Sequence, residues 1–217
     1  MGDVGYRSLS VRTMLATIAI ALAVLTAFAS DVVGLATAGD ESDGVVLMSA
    51  GLGLCQFGAA VLGAIFVCVW MHCAASNLRV FGHRGLQFTP AGAAGWWFVP
   101  FANLVKPYQA MREIVGRSEP SSLSDGYWST SSSGTLSIWW GAWIASNVIA
   151  NVSMRIDDPG TSAGVSLVSS MCWAVAGVLL VMTMRNVEAS QDECDRRLRA
   201  ALPPVAPYRS PWSQDLR

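Results

Sequence analysis

Charge is scarce in this 217-residue chain: 13% of residues are charged, Lys106 is the single lysine, and His72 and His83 are the only histidines. So few bases cannot form the dense basic face that neutralises phosphates, and with a net charge of -1 nucleic acid is excluded as a partner. Acids are nearly missing from the apolar stretches. Asp31 is the one exception, and about eighteen residues of helix beyond Thr13 put it at a membrane interface, where a carboxylate is at ease. Paired membrane carboxylates, a phosphate-binding glycine loop and a serine-histidine constellation are all lacking, so nothing names an enzyme or a cofactor. Cys68, His72 and Cys73 lie close in sequence, but no second cluster at ligand spacing completes a metal set, and none is expected. The five cysteines form no paired motif and read as free thiols.

Apolar residues are what the chain has in excess, at 53% with a mean hydropathy of +0.43, and they come in long blocks. That pattern is an all-α integral membrane protein. Residues 13–38, 45–73, 136–154 and 163–184 each hold about the 20 apolar residues that cross a hydrocarbon core of roughly 30 Å, so four spanning helices are expected. Ala27-Phe28-Ala29 has the small-x-small look of a signal-peptidase site, but the apolar run continues through Val32, Val33, Leu35 and Ala36, long enough to span.

Residues 90–117 differ from these. Residues 91–105, if wholly helical, would rise only about 22 Å. Thr89-Pro90 reads as an N-cap with proline at the first helical position, Pro100 as the break of that half-helix near Val99, and Pro107 as the start of a second helix. Tyr108, Met111, Ile114 and Val115 share an apolar face, the pattern of an interfacial helix. The segment therefore either re-enters the membrane or lies flat on it. Charge separates both from a full crossing. With the N-terminus inside and 91–105 returning to the same face, 13 of the 14 basic residues are cytoplasmic and only Arg155 is outside; a crossing gives 5 inside and 9 outside. The positive-inside rule selects the first arrangement, with both termini cytoplasmic in a bacterial inner membrane.

Trp143, Asn147 and Asn151 recur every four residues, which sets them on one face expected to meet the bundle, with Asn103 and Gln56 as partners. That cluster reads either as interhelical glue or as a polar ligand pocket at the Pro100 bend. Gly51, Cys55, Ala59 and Gly63 make a small-residue stripe on the second span, as Ala19, Ala23 and Ala27 do on the first. Both are suited to close packing within the chain, with a homo-oligomer the alternative. Past Arg185, Asp192, Glu193 and Asp195 each precede an arginine by four residues, so the last span continues as a salt-bridged cytoplasmic helix up to Pro203. Serine and glycine make 118–135 a loop, with Tyr127 and Trp128 at the headgroups, and 203–217 a disordered tail beyond a single domain over 1–202.

The run Asn77-Leu78-Arg79, Gly82, Gly85, Pro90, then Trp96-Trp97-Phe98-Val99-Pro100-Phe101-Ala102-Asn103-Leu104, Pro107-Tyr108-Gln109-Ala110-Met111 and Glu113 resembles the bacterial domain-of-unknown-function family 4328. Trp140, Trp143, Ser146-Asn147 and Asn151 extend the resemblance, which covers roughly residues 56–191. It implies a multi-pass bacterial membrane protein and no assigned activity. The reading reached is a non-enzymatic binding, regulatory or scaffold component with the bilayer and a protein or second copy as partners. A transporter or channel working at the Pro100/Asn103 bend is the alternative, and an intramembrane metal or haem enzyme the third.

Overall fold

The structure, a computed structural model, describes residues 5–40, 42–121 and 133–201. Among them every regular element is helical: α1 (Ser10–Ala36), α2 (Asp43–Val80), α3 (Pro90–Gly95), two 3₁₀ turns (Trp96–Phe98 and Ala102–Leu104), α4 (Lys106–Ser118), α5 (Ser133–Ser153) and α6 (Pro159–Ala201). Three of these, α1, α2 and α6, are long and apolar enough to cross a membrane. The 21 residues of α5 give about 31 Å of rise, but Trp139, Trp140, Trp143, Asn147 and Asn151 dilute its apolar character and it does not join them. The expected loop shortens to what separates Ser118 from Ser133, and residues 122–132, with Tyr127 and Trp128, lie outside the described residues, as does the tail 203–217.

Helix ends follow local chemistry. Thr89 caps α3 by accepting from the Gly92 amide at 2.9 Å, with Pro90 in the first turn. The α-helical part of that segment is shorter than the proline alone dictates, ending at Gly95 and tightening into a 3₁₀ turn before Val99. Asp158 caps α6 by accepting from the Thr161 amide at 2.8 Å, with Pro159 next. Gly82, at φ +87°, lets the chain leave α2 while the His83 amide reaches back to the Leu78 carbonyl at 3.1 Å.

Packing starts from small residues. Ala16, Ala19, Ala23 and Ala27 are buried on α1, which lies against both α2 and α6. A Cβ on Gly63 would come within 4.0 Å of the Ala19 backbone, and one on Gly177 within 2.9 Å of the Ile20 side chain. Backbones can approach this closely only where the side chains are this small. The rest of the α2 stripe behaves otherwise: Gly51 and Cys55 are exposed and Ala59 is half-buried, so only Gly63 serves packing within the chain.

At one end of the bundle, called basal here, four segments are tied together. Asn77 of α2 accepts from the Arg7 amide (3.1 Å) and donates to the Arg7 carbonyl (2.9 Å) and to Gln191 Oε1 (2.8 Å). Gln191 of α6 donates in turn to the Ala74 carbonyl (3.1 Å) and to Ser118 Oγ at the end of α4 (2.9 Å). Asn77, Ser118 and Gln191 are fully buried. Since residues 77 and 118 meet the same glutamine, the chain between them leaves the basal end and returns to it.

On α4, Met111, Ile114 and Val115 are buried against α2 and α6. The apolar face read as a membrane-surface face is thus spent on protein. Beside it, the buried Glu113 accepts the amides of Gln87 (2.6 Å) and Phe88 (3.0 Å), latching the loop after α2 onto α4.

Candidate functional site

Four elements leave a void at the centre of the bundle. α1 lines it with Ile20, Ala23 and Val24; α2 with Ala60, Gly63, Ala64, Val67 and Cys68; α5 with Trp139 and Trp143; and α6 with Trp173, Ala176, Gly177 and Leu180. Trp97 and Phe98, from the first 3₁₀ turn, complete it. The cavity measures about 250 Å³ and its walls are overwhelmingly apolar. An apolar void of about 150 Å³ already takes up a benzene-sized guest, so this one has room for more.

Sequence explains both the space and the walls. Small residues such as Ala60, Ala64 and Ala176 line the void together with the large rings of Trp139, Trp143 and Trp173. α2 and α5 share no extensive contact, so the cavity opens between them. Ala64 and Phe98 line the cavity and are also exposed, Phe98 to 75%, which identifies the mouth.

The aromatic wall is braced. Trp97 donates its indole N–H to Met71 Sδ (3.2 Å) and meets Trp140 and Trp143 edge-on, with centroids at 5.8 and 5.5 Å. Trp140 stacks on Trp143 at 4.7 Å and donates to the Leu104 carbonyl at 3.1 Å. Cys68 Sγ approaches the Ala94 carbonyl at 3.9 Å. Through these contacts residues 94–97 sit against α2 some six to nine residues from Asn77, about 9–14 Å of helix above the basal end. Phe101, at the turn that follows, has φ +60° and is 87% exposed; an L side chain there is strained, and the strain holds an aromatic ring outward.

A second depression, about 580 Å³, lies between α1 and α6 at the basal end, lined by Ser10, Thr13, Thr17, Arg185, Glu188 and Asp192 among others. It is shallow, and part of its polar lining is already engaged. Asp192 accepts from the Tyr6 hydroxyl, and Thr13 Oγ1 accepts from the buried Trp70 indole at 3.0 Å. Burial first, and then Asp192, push the Tyr6 phenol well above its usual range, so the group stays a donor.

The four polar residues singled out from sequence do not line the cavity. Asn147 and Asn151 are exposed on α5, each donating to the carbonyl one turn back, Trp143 (2.7 Å) and Asn147 (2.8 Å). The face they share is real, but it points out of the bundle. Asn103 and Gln56 are half-buried, and among the described residues neither side chain makes a hydrogen bond. Asn103 belongs with Leu104 and Trp140, and Asn147 lies seven residues, about 10 Å, further along α5. Among the described residues no three of His, Cys, Asp and Glu converge on a point. His72 is exposed and Cys73 buried.

Sequence reading missed Gln191 and Glu113 as structural polar residues. The signal for Gln191 was its register: Leu180, Met184, Val187, Gln191 and Cys194 form one buried stripe along α6, and the glutamine sits within it.

Among the described residues, an all-helical arrangement with three membrane-length helices, a proline-broken segment between α2 and α4 and an aromatic-walled void is the class that these features define. The chain belongs to the family described as Domain of unknown function (DUF4328), whose model matches residues 33–192 and so includes α2, the bend, every cavity wall except that from α1, and Gln191. No curated protein and no solved structure matches it.

Proposed function

We propose that this protein is a non-enzymatic component of the bacterial cytoplasmic membrane, and that it works by binding an apolar ligand in the tryptophan-walled cavity. The observation that carries the reading is the cavity itself: about 250 Å³, apolar, open between α2 and α5, and walled by rings fixed by their own contacts. Preformed apolar clefts of this kind are the common form of small-molecule sites.

In this reading α5 is a fourth span, the basal end faces the cytoplasm, and residues 90–105 re-enter. The charge split of 13 to 1 and the return of the chain to Gln191 both favour that threading. Irregular backbone at membrane depth needs protein to satisfy it, and the Trp140 bond to the Leu104 carbonyl meets that need. The polar-bend transporter reading loses its support, because Asn147 and Asn151 face away from the cavity.

Photolabelling with a diazirine-bearing alkane tests the site. Adducts on Trp97, Trp139 or Ala64, abolished in an Ala64→Phe variant that still melts cooperatively, are the expected result. Labelling confined to outward residues such as Leu47 and Leu54 of α2 would overturn it.

A further inference from the structure

Resting on the cavity reading, we infer that the ligand is a phospholipid of the cytoplasmic leaflet, with one hydrocarbon chain in the cavity and its phosphate on Lys106. The one segment 96–106 carries both halves of the recognition. Trp97 and Phe98 line the void, while the neighbouring Trp96, together with Phe88, holds the Lys106 ammonium at 6.0 and 5.8 Å from the ring centroids. The only lysine of the chain is thus stationed beside the apolar entrance. Among the described residues no carboxylate pairs with it; its one side-chain bond is to Gln109 Oε1 at 3.3 Å. In the threading proposed above this ammonium, set on aromatic faces and still free of a carboxylate, meets the cytoplasmic headgroups, where a lipid phosphate matches it.

Depth agrees with a chain descending from that level. The cavity begins at Leu180 on α6, five residues inside Arg185, and extends to Trp173, about 18 Å along the helix from that arginine. In that threading it lies mostly in the inner half of a core of roughly 30 Å and reaches about to its midplane. In the same threading a water-soluble apolar molecule would have to cross the headgroups to reach the mouth, whereas the exposed Ala64 and Phe98 would meet acyl chains directly.

Native mass spectrometry of the full chain tests this, after reconstitution in vesicles of equal phosphatidylglycerol and phosphatidylethanolamine and extraction in mild detergent. The expected result is one phospholipid retained per chain, with phosphatidylglycerol favoured about fivefold, the worth of one cation near an anionic lipid. Lys106→Gln should keep the lipid and lose the preference. Ala64→Phe should lose the lipid, and Ala60→Leu, which fills the void further in, serves if the first variant fails to fold. Retention undiminished in both filled variants, or an unchanged preference in Lys106→Gln, would overturn the inference. So would a wild-type chain that carries no phospholipid; if alkane labelling of the cavity persists in that chain, the fault lies with the phospholipid and not with the cavity.

Discussion

Gln191 does more for the basal end than any other single side chain, since its amide bridges α2, α4 and α6 with every polar atom used and no exposure to water. Gln191→Ala leaves one Asn77 amide N–H without its acceptor, at a cost of about 1–3 kcal/mol, while the Ser118 hydroxyl loses a donor but keeps its own bond to the Ile114 carbonyl at 2.7 Å. A thermal melt in detergent should fall by several degrees; an unchanged melt would mean that water replaces the amide. The same contact shields Cys194, fully buried against the Ser118 carbonyl at 3.4 Å, with burial pushing its thiol up to about 11. Maleimide at pH 7.5 should leave Cys194 almost unlabelled in the wild type and label it readily in Gln191→Ala, because the thiolate is the reactive form. His83 gives a pH dependence. Burial, and then the Arg117 charge, lower its pKa from 6.5, and its Nε2 is buried among the described residues with no partner. The unfolded loop therefore takes up a proton more readily than the folded one. Stability from this packing is full above the unfolded value and is lost as pH falls through the folded value, so protease cleavage of residues 82–89 should quicken below pH 6.5 and be flat above it. At this scale the sequence was only half legible. A four-residue period assigned Asn147 and Asn151 to one face, but each amide satisfies itself on the carbonyl one turn back, so it can face outward without the penalty that argued for an inward stripe.

Among the elements, length, caps and small-residue spacing were readable because they depend on local chemistry. The Thr89 cap, the proline at the start of α4 and the run of α6 past the apolar span to Ala201 are all visible in the chain. Of the three salt bridges expected there, Glu193 with Arg197 and Asp195 with Arg199 form, both at 2.7 Å, while Asp192 is taken by Tyr6 instead. What α4 packs against was not readable, because an amphipathic face suits a headgroup layer and a protein groove equally well. Two glycines separate packing from mere spacing. Gly177→Ala drives a Cβ to 2.9 Å from the β-branched Ile20, so α1 and α6 must part, with an expected loss of about 1–3 kcal/mol. Gly51→Ala meets nothing within 4 Å and should leave the melt unchanged. If Gly51→Ala instead lowers the melt and shifts the oligomeric state, the exposed stripe on α2 is an interface between copies.

For the whole molecule, composition announced a membrane protein, and three helices are compatible with that by length and apolarity. The cavity was not legible, since its walls come from five separate segments and its tryptophans meet only in three dimensions. Its position gives the account its central claim, that the mouth at Phe98 lies at membrane depth and opens to lipid. The most direct test is a nitroxide at Phe98→Cys in a cysteine-free background, reconstituted in vesicles, with collision rates measured for oxygen and for a water-soluble nickel chelate. The account predicts strong oxygen broadening and little effect of the chelate at position 98, and the reverse at a Ser121→Cys control. A probe at 98 relaxed mainly by the chelate would contradict it, placing the mouth in water and returning the bend to the transporter reading.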